Sequence, residues 1–360
     1  MNNETHEAAA IETFACDQWY VAAYTSELVA ERLLARTICG EPVVLFRDPT
    51  GTPHALLDRC WHRLLPLSLG ELENGRIRCM YHGLEFDGDG RCVKIPGVER
   101  IPTAAKVRRF PLVEHDGFVW IWLAALPPGE VRPPDLPWQQ RSDLAVCSAQ
   151  RRVACDFRLL IDNLMDASHL AFVHRGTLAD PALLAVAPEV TTVDGLVSVK
   201  RWVDDYVPSP FYRRVLGRDV PCVRWQHTRF LLPGIVINEG RVAARGEVCR
   251  ADPGDGGLGG YFINVLTPET ASSCHYFFGY ARNWETEDVE LTEVLRSQLE
   301  HIVGEDVVLV EAQQRAMLAT PHLRVVNLGV DAGVQRARLA LQAAARRGAS
   351  AKPGKVHPPT

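Results

Sequence analysis

Short runs of alternating apolar and polar residues fill the first third of the chain, and this pattern is typical of β-strands. Residues 43–47 and 53–58 form two such runs around a turn at residues 48–51, where Asp, Pro and Gly are concentrated. A later run, residues 117–122, is almost wholly apolar. Short strands joined by glycine-rich turns predict a small all-β domain, which we place at residues 15–125.

The hydrophobic pattern changes after a proline-rich stretch at residues 127–137, which we interpret as a linker. Helical spacing appears at residues 156–172, and strand-like runs occupy residues 190–282. Helical spacing returns at residues 286–317 and again at residues 333–345. Thr286 is the predicted N-cap of the first of these two late helices. We therefore predict an α+β protein, with the all-β domain followed at residues 138–346 by an antiparallel sheet with helices. Residues 1–14 and 349–360 are expected to be flexible tails.

Composition and charge narrow the possible functions. The chain has 360 residues, of which 47% are apolar. Its net charge is −5, and the charges form no blocks of one sign, so the charge distribution gives no reason to expect nucleic-acid binding. No apolar run approaches the ~20 residues of a membrane helix, and the N-terminus lacks the features of a signal peptide. Most of the ten cysteines are scattered, as reduced and buried side chains usually are. We expect a cytoplasmic protein.

Two pairs of candidate metal ligands lie in the predicted all-β domain, Cys60 with His62 and Cys79 with His82. Two cysteines and two histidines can hold a tetrahedral zinc ion. They can also hold a Rieske [2Fe–2S] cluster, in which the cysteines bind one iron and the histidines bind the other. Because each pair mixes a cysteine with a histidine, each loop can supply one ligand to each iron. The spacing therefore favours the cluster over a mixed zinc ribbon.

A second group of candidate ligands follows on the predicted helix at residues 156–172. Asn163, Asp166 and His169 are three residues apart and lie along one side of a regular helix, whereas His174 is rotated by about 140° from His169. The helix must bend, widen or end between the two histidines if both are to reach one ion. Two histidines and a carboxylate form the facial triad of non-haem iron oxygenases. Two structural histidines are the alternative.

The carboxylate of such a triad must come from elsewhere, and we expect Asp306 to supply it. The apolar spacing of the late helix predicts a buried stripe that includes Val303 and Val307, and Asp306 lies beside it. A carboxylate next to an apolar face needs a cationic partner. We expect the neighbouring Glu305 and Glu311 to face solvent.

The combined pattern resembles the oxygenase component of Rieske non-haem iron oxygenases. Its motifs are Cys-x-His with Cys-x-x-His, followed by Asn-x-x-Asp-x-x-His-x-x-x-x-His, and the resemblance extends from residue 19 to residue 338. Segments at residues 161–166, 266–270, 281–283 and 330–333 are similar to the branch that contains vanillate O-demethylase and the dicamba and toluenesulfonate methyl-monooxygenases.

The resemblance implies two cofactors, the Rieske [2Fe–2S] cluster and a mononuclear Fe(II). It implies His169, His174 and Asp306 as ligands of the Fe(II), with Asn163 close to the metal. It further implies that Asp166 links His169 to a cluster histidine of a neighbouring subunit, with His82 as the expected one. The family assembles head to tail, usually as a homotrimer.

The implied function is that of a terminal oxygenase. A separate NAD(P)H-dependent flavin and iron–sulfur reductase, with or without a ferredoxin, would send electrons through the cluster to Fe(II). There O₂ would be used to hydroxylate a small aromatic substrate, an aryl acid with a methoxy or methyl group, as in O-demethylation of a vanillate-like compound. The alternatives within the family are ring dihydroxylation and N-demethylation. An electron carrier without oxygenase activity and a zinc-stabilised interaction protein are alternatives of other classes.

Two stretches of predicted strands, residues 222–237 and 260–278, are expected to line the substrate pocket. Arg224, His227, Arg229 and Asn264 are candidates for binding an anionic head group, although surface ion pairs or strand hydrogen bonds would explain each of them equally well. Residues 254–259 match the glycine spacing of a dinucleotide loop but run into a strand-like segment, so we predict a turn between strands and a reductase on another polypeptide.

Overall fold

The computed structural model describes residues 14–178, 180–208, 210–217, 220–254 and 256–350, and in these ranges the chain forms two compact units. The first unit comprises the described residues up to Asp135, the segment Thr267–Ala271 and the chain from Ala344 on. The second comprises Leu136–Leu266 and Ser272–Ala343. Of the predicted tails, Phe14 is buried and residues 349–350 end the last helix, while the remainder lies outside the described residues.

Three small antiparallel sheets build the first unit, in the strand orders β1-β10-β9, β2-β3-β4 and β5-β6-β7-β8. The strands are β1 Trp19–Tyr24, β2 Leu34–Ile38, β3 Glu41–Arg47, β4 Pro53–Leu57, β5 Glu71–Glu73, β6 Arg76–Arg78, β7 Glu85–Phe86, β8 Cys92–Lys94, β9 Leu112–His115 and β10 Phe118–Trp122. Every residue of β1 and β10 is buried, which explains why these runs are continuously apolar. Phe46, Ile77 and Phe86 form a core that also contains Cys60 and Cys79.

The turn after β7 needs its glycine. The Asp87 carbonyl accepts the Gly90 N–H at 2.9 Å, and the Asp87 carboxylate accepts the N–H groups of Asp89 and Arg91. Gly90 has φ +78°, and a Cβ there would lie 2.3 Å from the carbonyl oxygen of Val107. A residue with a side chain would therefore be both strained and in collision with the backbone.

A seven-stranded sheet in the order β11-β17-β16-β15-β14-β13-β12 forms the centre of the second unit. The β11–β17 pair and the pairs from β12 through β16 are antiparallel, as predicted. The strands are β11 Ala145–Val153, β12 Glu189–Val193, β13 Leu196–Tyr206, β14 Cys222–Leu231, β15 Ile235–Ala244, β16 Leu258–Thr270 and β17 Ser273–Arg282. The helices are α1 Phe157–Met165, α2 Leu170–Val173, α3 Pro210–Leu216, α4 Val289–Ala319 and α5 Ala332–Ser350.

Helix α4 carries the predicted apolar stripe, and it packs against β11. The stripe is buried and has helical spacing; it consists of Leu291, Leu295, Leu299, Val303, Val307 and Val310. The predicted N-cap was wrong. Asp288 caps the helix by accepting the Leu291 N–H at 2.8 Å, so the helix begins at Val289 and Thr286 lies outside it.

Residues 254–259 form no dinucleotide loop. Leu258 begins β16, so a strand follows the glycines and not a helix, in agreement with the sequence prediction; Asp255 lies outside the described residues. No helix in the described part of the chain is long and apolar enough to cross a membrane.

Candidate metal sites

The two cysteine–histidine pairs lie on two loops with the same hydrogen-bond pattern. The Cys60 N–H donates to the Leu65 carbonyl, and the Cys79 N–H donates to the Leu84 carbonyl, both at 2.8 Å. Each cysteine carbonyl accepts an N–H from four residues further on, that of Leu64 in one loop and that of Gly83 in the other. Leu64 and Gly83 both have positive φ, +60° and +69°, so each loop turns sharply just after its histidine.

This fold of the loops buries the cysteines and exposes the histidines. Cys60 and Cys79 are 2% exposed and belong to the core of the first unit. His62 and His82 are exposed, and their ring centroids lie 4.6 Å apart. Burial raises the pKa of the Cys60 thiol to about 11, although the backbone N–H groups of His62 and Arg63 act in the opposite direction.

The donor arrangement fits a cluster better than one ion. Among the described residues, the groups of three donors within 4.8 Å of one another are His169–His174–Asp306 and His115–Asp116–Asp135, so no three of the four cluster residues form such a group. A single zinc ion requires all four donors around one centre. A pair of thiols and a separate pair of imidazoles suit a Rieske cluster, in which each pair binds its own iron.

The second site gathers the three predicted ligands of the mononuclear iron. His174 Nε2 lies 3.3 Å and His169 Nε2 lies 3.6 Å from Asp306 Oδ1. The two imidazole rings are 5.3 Å apart at an interplanar angle of 67°. Asn163 also reaches this site, since its Nδ2 donates to Asp306 Oδ1 at 3.0 Å. Two imidazoles and one carboxylate fit non-haem iron and leave positions open for O₂ and substrate.

The helical backbone ends between the two histidines, as predicted, and it also breaks before them, which was not predicted. Helix α1 ends at Met165, and Asp166 has extended backbone angles, φ −107° and ψ 105°. Residues 167–169 form a 3₁₀ turn, and the single turn of α2 ends immediately before His174. The main break therefore precedes both histidines, and Asn163, Asp166 and His169 do not lie on one regular helix.

Each histidine has its second ring nitrogen held by an oxygen. The backbone carbonyl of Asp166 accepts from His169 Nδ1, and Glu305 Oε2 accepts from His174 Nδ1 at 2.7 Å. With the proton on Nδ1, the lone pair of Nε2 faces Asp306, as metal binding requires. Burial alone would lower the pKa of His174, but hydrogen bonds and charge from Asp306 and Glu305 raise it above its usual value. Burial lowers the pKa of His169.

The prediction that Glu305 faces solvent was wrong. Its carboxylate accepts from both His174 and the Thr177 hydroxyl, the latter at 2.9 Å. Glu311 is partly buried and accepts the Ala154 N–H. Sequence reasoning missed Glu305 because a carboxylate next to a ligand on the same helix can point either way. The signal that could have found it is the need of a ligating imidazole for an oxygen at its second nitrogen.

The other acidic residues near the site have separate partners. The Asp166 carboxylate accepts from the N–H and hydroxyl of Ser168, and it lines the cavity in front of the triad. Within the chain it is thus the Asp166 carbonyl, and not its carboxylate, that contacts the His169 ring. Asp162 forms a two-point ion pair with Arg338 and lies outside the triad.

A cavity of about 300 Å³ opens in front of the triad. Its lining includes residues from the α1–α2 region, the loop after His174, helix α3, strands β14–β17 and helix α4: Leu164, Asp166, Ala167, Leu170, Arg175, Gly176, Thr177, Leu178, Tyr212, Arg224, Gln226, Asn238, Glu239, Gly240, Phe262, Asn264, Tyr276, Leu299, Ile302 and Val303. The expectation that strands at residues 222–237 and 260–278 line the pocket is confirmed for this cavity.

The four head-group candidates divide between two cavities. Arg224 and Asn264 line the cavity of the triad, whereas His227 and Arg229 line a different cavity and are therefore wrong as head-group candidates. Arg224 already has a counter-ion, because its Nε lies 3.0 Å from Asp180 Oδ2. Asn264 is engaged in a hydrogen-bonded network: its Oδ1 accepts from the hydroxyl of Tyr276 and its Nδ2 donates to Asn238 Oδ1.

Sequence reasoning missed a more available cation, Arg175. It directly follows His174, lines the triad cavity and is exposed. Within the described part of the chain it makes no ion pair or hydrogen bond. The sequence feature that could have identified Arg175 is its position directly after His174, a predicted iron ligand.

Comparisons with known proteins agree with both sites. Residues 18–111 match the model of the Rieske [2Fe-2S] domain, and residues 153–347 match that of the vanillate O-demethylase oxygenase C-terminal domain. The vanillate O-demethylase oxygenase subunit of Pseudomonas sp. strain HR199 is 36% identical over 90% of this chain and 93% of its own length. The oxygenase component of dicamba O-demethylase from Stenotrophomonas maltophilia is 38% identical over 90% of this chain and 96% of its own.

A solved structure shows the same fold. The crystal structure of dicamba monooxygenase with non-heme iron and dicamba has a TM-score of 0.80 and 34% sequence identity, and it covers 94% of this chain and 99% of the other. A metal ion of the expected kind thus occurs in a protein with this architecture.

Proposed function

We propose that this chain removes a methyl group from an anionic aryl methyl ether. The premise is that the chain belongs to the Rieske oxygenases of the vanillate O-demethylase type and is their terminal oxygenase component. The observation that carries the proposal is the triad of His169, His174 and Asp306, which faces a cavity of about 300 Å³. The electron-carrier alternative is excluded, because a carrier needs no such catalytic domain.

The overall reaction balances without further reactants. One aryl methyl ether, O₂, NAD(P)H and a proton give the phenol, formaldehyde, NAD(P)⁺ and water. When bound, the cluster supplies single electrons and the iron activates O₂ for insertion into a C–H bond of the methoxy group. The resulting hemiacetal then breaks its C–O bond, and the phenol leaves with one proton.

Residues of this chain have three tasks in that reaction. Asn163 holds Asp306 through its 3.0 Å hydrogen bond, and Glu305 and the Asp166 carbonyl fix the imidazole tautomers. Apolar residues of the cavity exclude water from the reacting carbon. We propose that Arg175 binds the carboxylate of the substrate, since Arg224 is already paired with Asp180.

We further propose which part of the chain holds each of the two cofactors. A Rieske domain at residues 15–125 holds the cluster with Cys60, His62, Cys79 and His82, and a catalytic domain at residues 138–346 holds the iron. Relatives of this chain are oxygenase components or subunits, so a separate reductase supplies the electrons.

A homotrimer would bring the two metals together across subunits. In this proposal the exposed His82 of one subunit meets the Asp166 carboxylate of the next, which lines the cavity in front of the triad. Trp61, Leu64, Met80 and Tyr81 surround the cluster histidines and are 40–61% exposed, as expected of residues that a partner covers. Sedimentation analysis that finds only monomers at micromolar concentration would contradict this arrangement.

The test of the function is an assay of the purified protein with an NAD(P)H-dependent reductase and a series of methoxybenzoates. We expect O₂ uptake and formaldehyde in equal amounts with at least one of them, and Arg175→Gln should raise KM more than it lowers kcat. Arg175→Lys should retain part of the affinity, because it keeps the charge. The absence of formaldehyde and of O₂ uptake with every aromatic acid would refute the proposal.

A further inference from the structure

A second cavity, of about 560 Å³, lies beside the triad cavity in the second unit, and the proposed reaction does not use it. We refer to it as the outer cavity. The two cavities share Phe262, Leu299, Ile302 and residues 176–178 as lining. The two cavities are therefore direct neighbours, with only these residues between them.

The outer cavity has an apolar floor and a polar rim. Leu291, Leu295 and Trp284 line the floor and are 6–9% exposed. Ser297 and His301 are exposed on the same helix, α4, and form part of the rim. Because Leu291, Leu295 and Leu299 are four residues apart, the apolar face of α4 continues from the outer cavity to the wall of the triad cavity.

The two cavities differ in charge. The triad cavity is lined by Arg175, Arg224, Asp166 and Glu239 besides the metal ligands. In the lining of the outer cavity the ionisable groups are His301 at the rim and Tyr280, and burial raises the pKa of Tyr280 far above its ordinary value, so the phenol stays neutral. The outer cavity therefore suits an uncharged apolar group, since an ion there would lose hydration without finding a partner.

The wall of the outer cavity is held by a buried arginine. Arg282 donates to the backbone carbonyls of Trp284, Glu285 and Asp288 and to the hydroxyl of Thr292, at 2.6–3.0 Å. These bonds fix the corner between β17 and α4, on which Trp284 and Leu291 lie. On this side the outer cavity is thus bounded by a strand end and a helix that are held in place by hydrogen bonds.

We infer that the outer cavity is a binding site for an uncharged aromatic or alkyl substituent of the substrate, a conclusion that rests on the proposed demethylase function. The preferred substrate is then an anionic aryl methyl ether extended by such a group. Together the two cavities approach the upper part of the range of about 300–1,000 Å³ that ligand pockets occupy, which is more than a single-ring acid fills.

The test compares the binding of 3-methoxybenzoate with that of its 5-phenyl derivative by calorimetry on the iron-loaded protein. We expect the phenyl derivative to bind the wild type at least about tenfold more tightly, because the added ring leaves water. Leu295→Phe and Ser297→Trp, which fill the outer cavity from its floor and its rim, should remove most of that preference and leave the affinity for 3-methoxybenzoate unchanged. Leu309→Trp is the control, since Leu309 is exposed on α4 and lines neither cavity.

Equal affinity of the wild type for the two compounds, or an unchanged preference in both cavity-filling variants, would overturn the inference. Preferential binding without formaldehyde release would leave the binding site in place and refute the demethylase function. Failure of both compounds to bind the wild type would refute the substrate class and the inference with it.

Discussion

Each histidine of the triad uses one ring nitrogen for the protein and offers the other to the metal. For His169 the supporting oxygen belongs to the backbone of Asp166, and for His174 it belongs to the side chain of Glu305. A backbone carbonyl is fixed by the fold and cannot be removed by substitution. Glu305 is therefore the support of the triad that mutagenesis can test.

We predict that Glu305→Leu weakens Fe(II) binding about 10- to 100-fold, because His174 loses the acceptor that fixes its tautomer and ring orientation. Glu305→Gln should have a smaller effect, since an amide oxygen can still accept from Nδ1. The measurement is metal titration of the iron-free protein with calorimetric or spectroscopic detection.

The matched control for Glu305→Leu is Glu300→Leu, which changes an exposed glutamate on the same helix that pairs with Arg296. Thr177→Val removes the hydroxyl that donates to Glu305 and should leave the metal affinity nearly unchanged. If Glu305→Leu bound iron as tightly as the wild type, the hydrogen bond to His174 would have no part in metal binding.

Outside the metal sites, His227 is the residue with the clearest pH-dependent effect on stability. Burial and the neighbouring charges of Arg229 and Lys200 lower its pKa to about 3, and its Nε2 lies 2.7 Å from the Ser198 hydroxyl. In the unfolded chain its pKa is about 6.5, so as the pH falls the unfolded state takes up a proton first. The contribution of the neutral, buried His227 to the free energy of unfolding is therefore complete above about pH 6.5 and is lost as the pH falls towards 3.

We predict that His227→Gln removes this part of the acid sensitivity. Between pH 7 and pH 5 the wild type should lose about 2 kcal/mol more free energy of unfolding than the variant. Urea unfolding at the two pH values measures the difference, with His301→Gln as an exposed control. An equal loss in wild type and His227→Gln would show that His227 is protonated in the folded protein.

Residue types and spacing were sufficient to predict which side chains lie together at the two candidate metal sites, because metal ligands are few in kind and their chemistry restricts them. The cluster residues and the triad of His169, His174 and Asp306 lie together as expected. The same reasoning failed for Glu305, His227 and Arg229, whose roles depend on which face of a helix or strand their side chains occupy. The periodic hydrophobic pattern does not reveal in which direction a single polar side chain next to a ligand points.

At the scale of secondary-structure elements, the strands and helices could be predicted but their ends could not. The apolar stripe of α4 has a regular period, whereas its start depends on a single hydrogen bond made by Asp288. Likewise, the break at Asp166 leaves no trace in the apolar spacing of Leu160, Leu164 and Leu170. Local polar contacts decide where an element ends, and several residues at each end could make them.

The start of α4 offers a direct test of the observed cap. Asp288→Ala should lower the free energy of unfolding by about 1 kcal/mol, because the Leu291 N–H loses its acceptor and a negative charge leaves the positive end of the helix. Thr286→Ala should change it by far less, since Thr286 lies before the cap. Urea unfolding of the two variants measures the effects, and the reverse order would restore Thr286 as the N-cap.

At the scale of the whole molecule, each set of candidate metal ligands comes from one compact unit. Cys60, His62, Cys79 and His82 belong to the first unit, and the triad belongs to the second. The sequence predicted two such parts because the linker is rich in proline and the hydrophobic period changes after it. It did not predict that Thr267–Ala271 joins the first unit, since a five-residue return of the chain leaves no compositional signal.

Since neither ligand set borrows a residue from the other unit, we predict that the two metals are lost independently. The wild type should contain about three iron atoms per chain, two in the red-brown cluster and one in the triad. Asp306→Ala should keep the colour and about two irons, and Cys79→Ser should be colourless with about one. Iron analysis and visible spectra of the purified proteins measure both quantities. Loss of the cluster in Asp306→Ala, with the protein still folded by circular dichroism, would mean that the cluster depends on the triad and that the units do not load their metals separately.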